Sequence, residues 1–271
     1  MMPHQLLVLL PRTVVAARSQ RCVREALQAQ GRAITQPICR EPRDVPALIR
    51  QHGTAVEGLV TAADPETVSA VLTIWPSDRP WLLLPLDRDR QLCEELQLWG
   101  DWQTAIVQLA AASIRTVSVG LVGDRPFLGS LKLGLSQPMA HLHQQWRRHT
   151  WQSERVRSAL KLSWLDQQFQ VDCQSPSQQW SRRTAQLQIR CLGQRRFRLR
   201  SWDAERSPRP GEPLPPPTEW QAEAPLQIAA HPSRSLWYLG QCLSEGPWHL
   251  HHRPQPQTLF APPTVAPKAV C

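Results

Sequence analysis

Four short apolar runs, separated by segments of helical period, fill the first 112 residues. The runs are 5–10 (QLLVLL) before Pro11, 34–38, 56–61 (VEGLVT) and 81–84 (WLLL) before Pro85. Between and after them, 19–30 repeats Cys22, Val23, Ala26, Leu27 and Ala29 near helical spacing, with Gly31 as the stop. Segments 45–52, 66–74, 90–98 and 102–112 carry the same period. Runs that are continuously apolar rather than alternating suit strands buried on both faces. Strand and helix in strict turn, four times over, predict a parallel sheet covered by helices on both sides.

The pattern changes after Ser113. Residues 117–122, 127–135, 169–173, 185–192 and 197–202 alternate polar and apolar, which suits an antiparallel β unit with one face buried. Residues 139–165 read as helical. The stretch 207–217 (SPRPGEPLPPP) cannot lie inside a helix or a central strand. Residues 226–230 and 236–239 read as closing strands. Five prolines in 253–271 predict an irregular tail. The expected organisation is an α/β domain over 1–117, a β-rich domain over 118–245 and a Pro-rich tail over 246–271. No internal repeat is visible.

Composition narrows the class. A chain of 271 residues with 12 Trp can bury a core, so disorder throughout is excluded. The longest apolar run falls far short of the ~20 residues that a membrane-spanning helix needs. Arg12 and Arg18 come early and no small-residue cleavage site follows, so no signal peptide is expected. The seven Cys are scattered with no C-x-x-C pair, which fits buried single thiols in a reducing, cytoplasmic compartment. The net charge of +9 is unevenly placed. Residues 115–206 hold 16 Lys and Arg against 6 Asp and Glu, and the rest of the chain is nearly neutral. Such a patch suits nucleic acid, anionic lipid or a phosphorylated ligand, and equally a solvated face.

Few motifs stand out. His249, His251 and His252 cluster, and His249 and His251 would share a face if the segment were extended. A chance group of exposed His explains them better than a metal site. His141 and His143 read the same way. The chain has no G-x-S-x-G, H-E-x-x-H, Walker or dinucleotide-binding motif. Arg196, Arg198 and Arg200 would point one way from a strand and Phe197, Leu199 and Ser201 the other, as on any half-buried strand. Without a legible nucleic-acid-binding module, nucleic acid is an unlikely partner.

Two strand ends carry acidic turns, Ala62-Ala63-Asp64-Pro65 and Pro85-Leu86-Asp87-Arg88-Asp89-Arg90. Ligands in open α/β sheets bind beyond such carboxyl ends. Helix capping explains Asp64 without any ligand, because Asp is a favoured N-cap and Pro65 a favoured first helical residue.

In this order, the two turns resemble those of the diacylglycerol kinase-type lipid kinases, a superfamily that includes sphingosine kinases and is related to NAD kinases. There the third strand ends in GGDGT followed by V-N-E-V-L. Here residues 62–72 read AADPETVSAVL. There the fourth strand leads into L-P-x-G-T-x-N-D-F-A-x-x-L, and here residues 84–96 read LPLDRDRQLCEEL. The next family segment runs from A-x-x-x-I/L to R-x-V-D-x-G-x-V-N-x-R-x-F-x-N-x-x-x-x-G. Arg115, Val117, Gly120, Val122, Arg125, Phe127 and Gly134 hold its framework positions. The likeness covers roughly 5–240. It implies an NAD kinase/diacylglycerol kinase-like α/β domain joined to an antiparallel β-rich domain. It also implies ATP and Mg²⁺ as cofactors and transfer of a phosphoryl group to a lipid hydroxyl.

The resemblance places nucleotide at Ala62, Ala63, Asp64, Pro65, Thr67, Asp87, Arg88, Arg90 and Gln91; Asp64 survives from the pattern and its glycines and second motif do not. Ala62, Ala63 and Pro65 replace glycines whose backbone would wrap phosphate, and Pro65 has no N–H to give. Asp87, Arg88, Arg90 and Gln91 replace the G, T, N and D of the second motif. Ser118 and Gly129 replace a further Asp and Asn. The family's later acidic G-G-G … D-G-x-L-D segment, which serves metal and catalysis, has no counterpart. The expectation is a lipid kinase-like protein with degenerate ATP motifs that acts by binding, with no catalytic residue or metal ligand assigned. The basic β domain would meet an anionic lipid or a peripheral membrane surface.

Overall fold

The computed structural model describes residues 4–86, 90–134, 169–193, 195–202, 217–232, 234–239 and 241–263. In chain order the elements begin β1 (Gln5–Leu9), α1 (Ala17–Ala29), β2 (Ala33–Thr35), α2 (Val45–His52), β3 (Gly58–Ala62), α3 (Pro65–Leu72) and β4 (Trp81–Leu84). Next come α4 (Arg90–Glu95), α5 (Trp102–Val107), β5 (Ser113–Val117), β6 (Gly120–Val122), β7 (Arg125–Phe127) and β8 (Ser130–Gly134). They continue with β9 (Phe169–Gln174), β10 (Gln179–Thr184), β11 (Gln186–Leu192), β12 (Arg196–Trp202) and β13 (Thr218–Glu223). The last are β14 (Leu226–His231), β15 (Ser235–Tyr238), β16 (Gln241–Glu245), β17 (Trp248–His252) and β18 (Gln257–Ala261). The chain divides into two compact units. One comprises Met1–Val119, Arg125–Gly129 and Arg253–Cys271, and the other Gly120–Asp124 and Ser130–His252.

The first unit is built on a sheet of order β2-β1-β3-β4-β18-β5. Its pairings are parallel except β18 with β5. The continuous apolar runs become strands buried on both faces, as their composition requires. Every residue of β3 and β4 is buried. Leu6, Val8, Val60, Ala62, Leu82 and Leu84 form one face and pack with Val23 and Leu27 of α1 and Ala105 and Ile106 of α5. Leu7, Leu9, Leu59 and Leu83 point the other way by strand alternation and are equally buried. The sheet is therefore covered on both sides, and the fold is mixed α/β.

The second unit is antiparallel. Five of its strands run β10-β9-β14-β17-β6 in one sheet, and six run β13-β12-β11-β8-β15-β16 in another. Burial alternates along each central strand. Phe169, Val171 and Cys173 of β9 are buried, as are Leu187, Ile189 and Cys191 of β11 and Phe197, Leu199 and Ser201 of β12. These inward faces form the unit's core.

Several expectations are corrected. The Pro-rich tail over 246–271, expected to be irregular from 253, instead contains β17 and β18. β18 is buried along its whole length and fills the place between β4 and β5. The second strand covers only three residues, Ala33–Thr35, rather than 34–38. The helix expected over 90–98 ends at Glu95, and Gln97 adopts φ +55. Strands β10 and β13 carry no alternating apolar signature and were not expected. The expected helix over 139–165 lies outside the described residues, as does the Pro-rich stretch up to residue 216.

Candidate functional site

The turn after β3 is where the resemblance places phosphate, and its Ala63 and Thr67 N–H groups already have partners. Ala62 and Ala63 are fully buried. The Ala63 N–H donates to the Leu84 carbonyl at 3.1 Å, which continues the ladder toward β4. Pro65 has no N–H, and it occupies the first turn of α3 as its fixed φ favours. Asp64 is extended (φ −71, ψ 150) and caps the helix. Its Oδ1 accepts from the Thr67 N–H at 2.9 Å, and its carbonyl accepts from Val68 N–H at 2.9 Å. The Glu66 N–H also points at this carboxylate. The negative charge that a helix N-terminus attracts is supplied by the chain itself.

Asp64 is only 5% exposed. Burial pushes its carboxyl above the ordinary carboxylate range, against the lowering effect of the Thr67 and Glu66 donors. Its Oδ2 has no hydrogen-bond partner among the described residues. Cys39 is close enough to feel Asp64 electrostatically. Burial first, then the charges of Asp44 and Asp64, push its thiol up to about 12, so it is an inert thiol at neutral pH. Around this turn Thr61 is a buried link. Its hydroxyl donates to the Ala62 carbonyl at 3.0 Å and accepts from Trp81 Nε1 at 3.0 Å.

The turn after β4 is partly described. Pro85 and Leu86 are buried, and Leu86 N–H donates to the Leu84 carbonyl at 2.9 Å. Asp87 and Arg88 lie outside the described residues. Arg90 opens α4 and is exposed, whereas Gln91 Nε2 donates to Glu95 Oε1 at 2.7 Å along the same helix. The position where the lipid kinase pattern has Asn is Gly129, at φ +77. A Cβ there would lie 2.8 Å from Glu95 Oε2 and 3.0 Å from Leu92 Cδ1. α4 therefore fills the space into which a side chain at Gly129 would point. Arg115, a framework position of the pattern, donates to the Leu96 carbonyl at 2.9 Å and so closes the end of α4.

No protein-family model matches the sequence, and no curated protein matches it. Solved structures do. A protein of Bacillus anthracis str. Sterne assigned as a diacylglycerol kinase superposes with a TM-score of 0.71, at 10% identity, over 98% of this chain and 99% of its own. Two further structures of diacylglycerol kinase assignment from the same organism give 0.68 at 9% identity, covering 98% of this chain and 100% of theirs. This chain has the diacylglycerol kinase fold.

On that fold, the expected nucleotide residues separate into three groups. Ala62, Ala63, Asp64, Pro65 and Thr67 come together in one buried turn. Arg90 and Gln91 lie on α4, where Gln91 is held by Glu95. Asp87 and Arg88 are not described. The donor set of the β3 turn does not fit a nucleotide phosphate well, because the Ala63 and Thr67 N–H groups are bonded within the chain and Pro65 has none. No helix among the described residues is long and apolar enough to cross a membrane.

The charge of the middle third is partly placed by the second unit. Lys132, Arg190, Arg196, Arg198 and Arg200 alternate with buried residues on β8, β11 and β12 and share the outer face of one sheet. Arg190 stands directly opposite Arg198. Glu219 on the edge strand β13 pairs with Arg198 at 3.0 Å and Arg200 at 2.7 Å, and Glu223 stands opposite Arg196. The acidic residues therefore offset one margin of the band. On β17, His249 and His251 are exposed and share a face, whereas His252 is half-buried.

Proposed function

We propose that this chain is a lipid kinase-like protein that acts by binding rather than by phosphoryl transfer, with an anionic membrane surface as its partner. The observation that carries the first part is the β3 turn. Phosphoryl transfer rests on positioning and on charge stabilisation by backbone donors and metal. Here the turn's own carboxylate takes the donors, and a proline removes one outright. The second part is supported by the basic sheet face. Lys132, Arg190, Arg196, Arg198 and Arg200 share that face with Glu219 and Glu223 along one margin, a basic surplus that an anionic surface would meet.

A second reading has one observation in its favour. Asp64 Oδ2 is buried without a partner among the described residues, which is how a carboxylate kept for a ligand would look. On that reading the chain retains ATP- and Mg²⁺-dependent phosphorylation of a lipid hydroxyl.

Two assays separate the readings. Incubation with labelled ATP, Mg²⁺ and diacylglycerol-containing vesicles is expected to give no labelled lipid, and product that disappears in Asp64→Ala would establish the kinase reading. Co-sedimentation with anionic vesicles is expected to exceed that with neutral vesicles and to fall as salt rises. Arg198→Glu combined with Arg200→Glu is expected to remove the difference. Equal pelleting with both vesicle types, or preference for RNA over vesicles at the same ionic strength, would overturn the membrane assignment.

A further inference from the structure

The two antiparallel sheets of the second unit end in the edge strands β10 and β13. Residues of both strands line one cavity of about 360 Å³. Its walls include Trp180 of β10 and Trp220 of β13, whose rings meet edge to face with centroids 4.4 Å apart at 88°. We propose that this aromatic notch is the docking site of the chain's own proline-rich segment, residues 207–217.

The notch follows from strand order. Trp180 stands opposite the buried Cys173, and Trp220 opposite the buried Leu199, so both rings belong to inward faces. Each lies on the last strand of its sheet, and both stay half-buried. Trp220 Nε1 is buried and has no hydrogen-bond partner among the described residues. A buried indole N–H ordinarily finds an acceptor. The Arg182 guanidinium lies over the Trp220 ring, 5.8 Å from its centroid. The occupant that suits this place is flat and apolar, offers carbonyl acceptors and brings a negative charge.

The segment SPRPGEPLPPP has those properties, with six prolines in eleven residues. Proline fixes φ and favours an extended left-handed helix whose carbonyls make no internal hydrogen bonds. Aromatic grooves take such segments because little order is left to impose. Glu212 is the segment's one carboxylate, and Arg182 is there to meet it.

Chain connection favours the same occupant. β12 ends at Trp202 and β13 begins at Thr218, with Ser201 and Thr218 paired. A hairpin turn needs about 2–5 residues, and the chain places residues 203–217 there. Pro217 is half-buried and directly precedes Thr218, which itself lines the cavity. The end of the segment is therefore already at the rim, and so short a tether gives an effective concentration of about millimolar. Docked there, the segment covers two adjoining sheet edges that another chain could otherwise pair with.

The test compares the full chain with a full-length variant carrying Pro208→Ser, Pro210→Ser, Pro213→Ser, Pro215→Ser and Pro216→Ser together. The readout is the indole N–H signals in nitrogen-edited spectra. Those of Trp180 and Trp220 are expected to shift and to exchange faster with solvent in the variant, while those of the buried Trp75, Trp81 and Trp248 stay in place. A synthetic peptide of residues 207–217 should then bind the variant saturably and return the two signals. It should bind the unmodified chain at least roughly tenfold more weakly, because the tethered copy competes. Trp180→Ala in the variant should weaken the peptide, and Trp220→Phe, which keeps a ring and removes the indole donor, should weaken it less. If Trp180→Ala does not fold, the proline variant and the peptide decide alone. Unmoved Trp180 and Trp220 signals, no saturation by the peptide, or equal peptide affinity for the variant and the unmodified chain would overturn the proposal. So would signals that move on dilution of the unmodified chain, which would put a second copy's segment in the notch. Asp64, Arg198 and Arg200 are untouched throughout, so failure here is distinct from failure of the functional reading above.

Discussion

Two strand ends of the same sheet have opposite chemistry. After β3, a carboxylate turns inward, caps its own helix and is 5% exposed. After β1 and β2, Arg12, Arg21 and Arg24 stand around an open cavity with no carboxylate lining it. Both places are carboxyl ends in an α/β sheet, where ligands ordinarily sit. The difference shows that topology nominates several sites, and that local donors decide which of them can take an anion. At β3 the anion is part of the chain. At β1 and β2 none is supplied.

The contrast can be broken in several ways. Both sites depend on the sheet, and β18 lies within it. Phe260→Ala should cost about 3–5 kcal/mol in urea unfolding, because its ring is fully buried on the face covered by α1 and α5. A loss near zero would place β18 outside the core. Gly129→Ala should cost about 1–2 kcal/mol, since the residue would have to hold φ +77. The Glu95 contact at 2.8 Å adds crowding that a flexible side chain can relieve. Pairing it with Glu95→Ala should recover only the crowding part, leaving the backbone strain.

Asp64 sharpens the contrast. Asp64→Ala removes a cap and should cost about 0.5–2 kcal/mol. Asp64→Asn keeps the cap and removes the buried charge. Burial raises the Asp64 carboxyl, so the folded chain binds that proton more tightly than the unfolded chain. The stability it contributes is full below the unfolded value near 3.8 and is lost as pH rises through the raised folded value. Relative to Asp64→Asn, the unmodified chain should therefore lose stability as pH rises above about 3.8. Parallel curves for the two would show that the carboxyl is not raised. The smallest effect is expected at the open site. Arg21→Glu with Arg24→Glu should change the unfolding free energy in urea by no more than about 0.5 kcal/mol, because both side chains are exposed.

The sequence makes legible the elements that bury most. The runs at Leu6–Leu10, Leu59–Ala62 and Trp81–Leu84 announce strands because both faces are covered. The Asp64-Pro65 pair announces the start of α3 because cap chemistry is local. Other elements leave little trace. β10 (QWSRRT) and β13 (TEWQAE) are edge strands with little to bury, so they lack an apolar period. β18 offers only Leu259, Phe260 and Ala261 between prolines, too short a run to separate from a tail. The arginines of the α1 flank look like any solvated helix face. Only the fold brings Arg12 beside them around one cavity, and that juxtaposition is tertiary. The closure of the β3 turn was visible in part. Alanines and a proline replace glycines in the string of letters, but the bond from Ala63 to Leu84 needs the sheet.

The central claim is that the β3 turn spends its donors inside the chain, Ala63 N–H on Leu84 and Thr67 N–H on Asp64, with none at Pro65. Amide chemical-shift mapping with millimolar Mg-ATP tests it most directly. The account predicts that the signals of Ala62, Ala63, Asp64, Glu66 and Thr67 stay in place. Saturable shifts centred on residues 62–67, lost in Asp64→Ala, would contradict it.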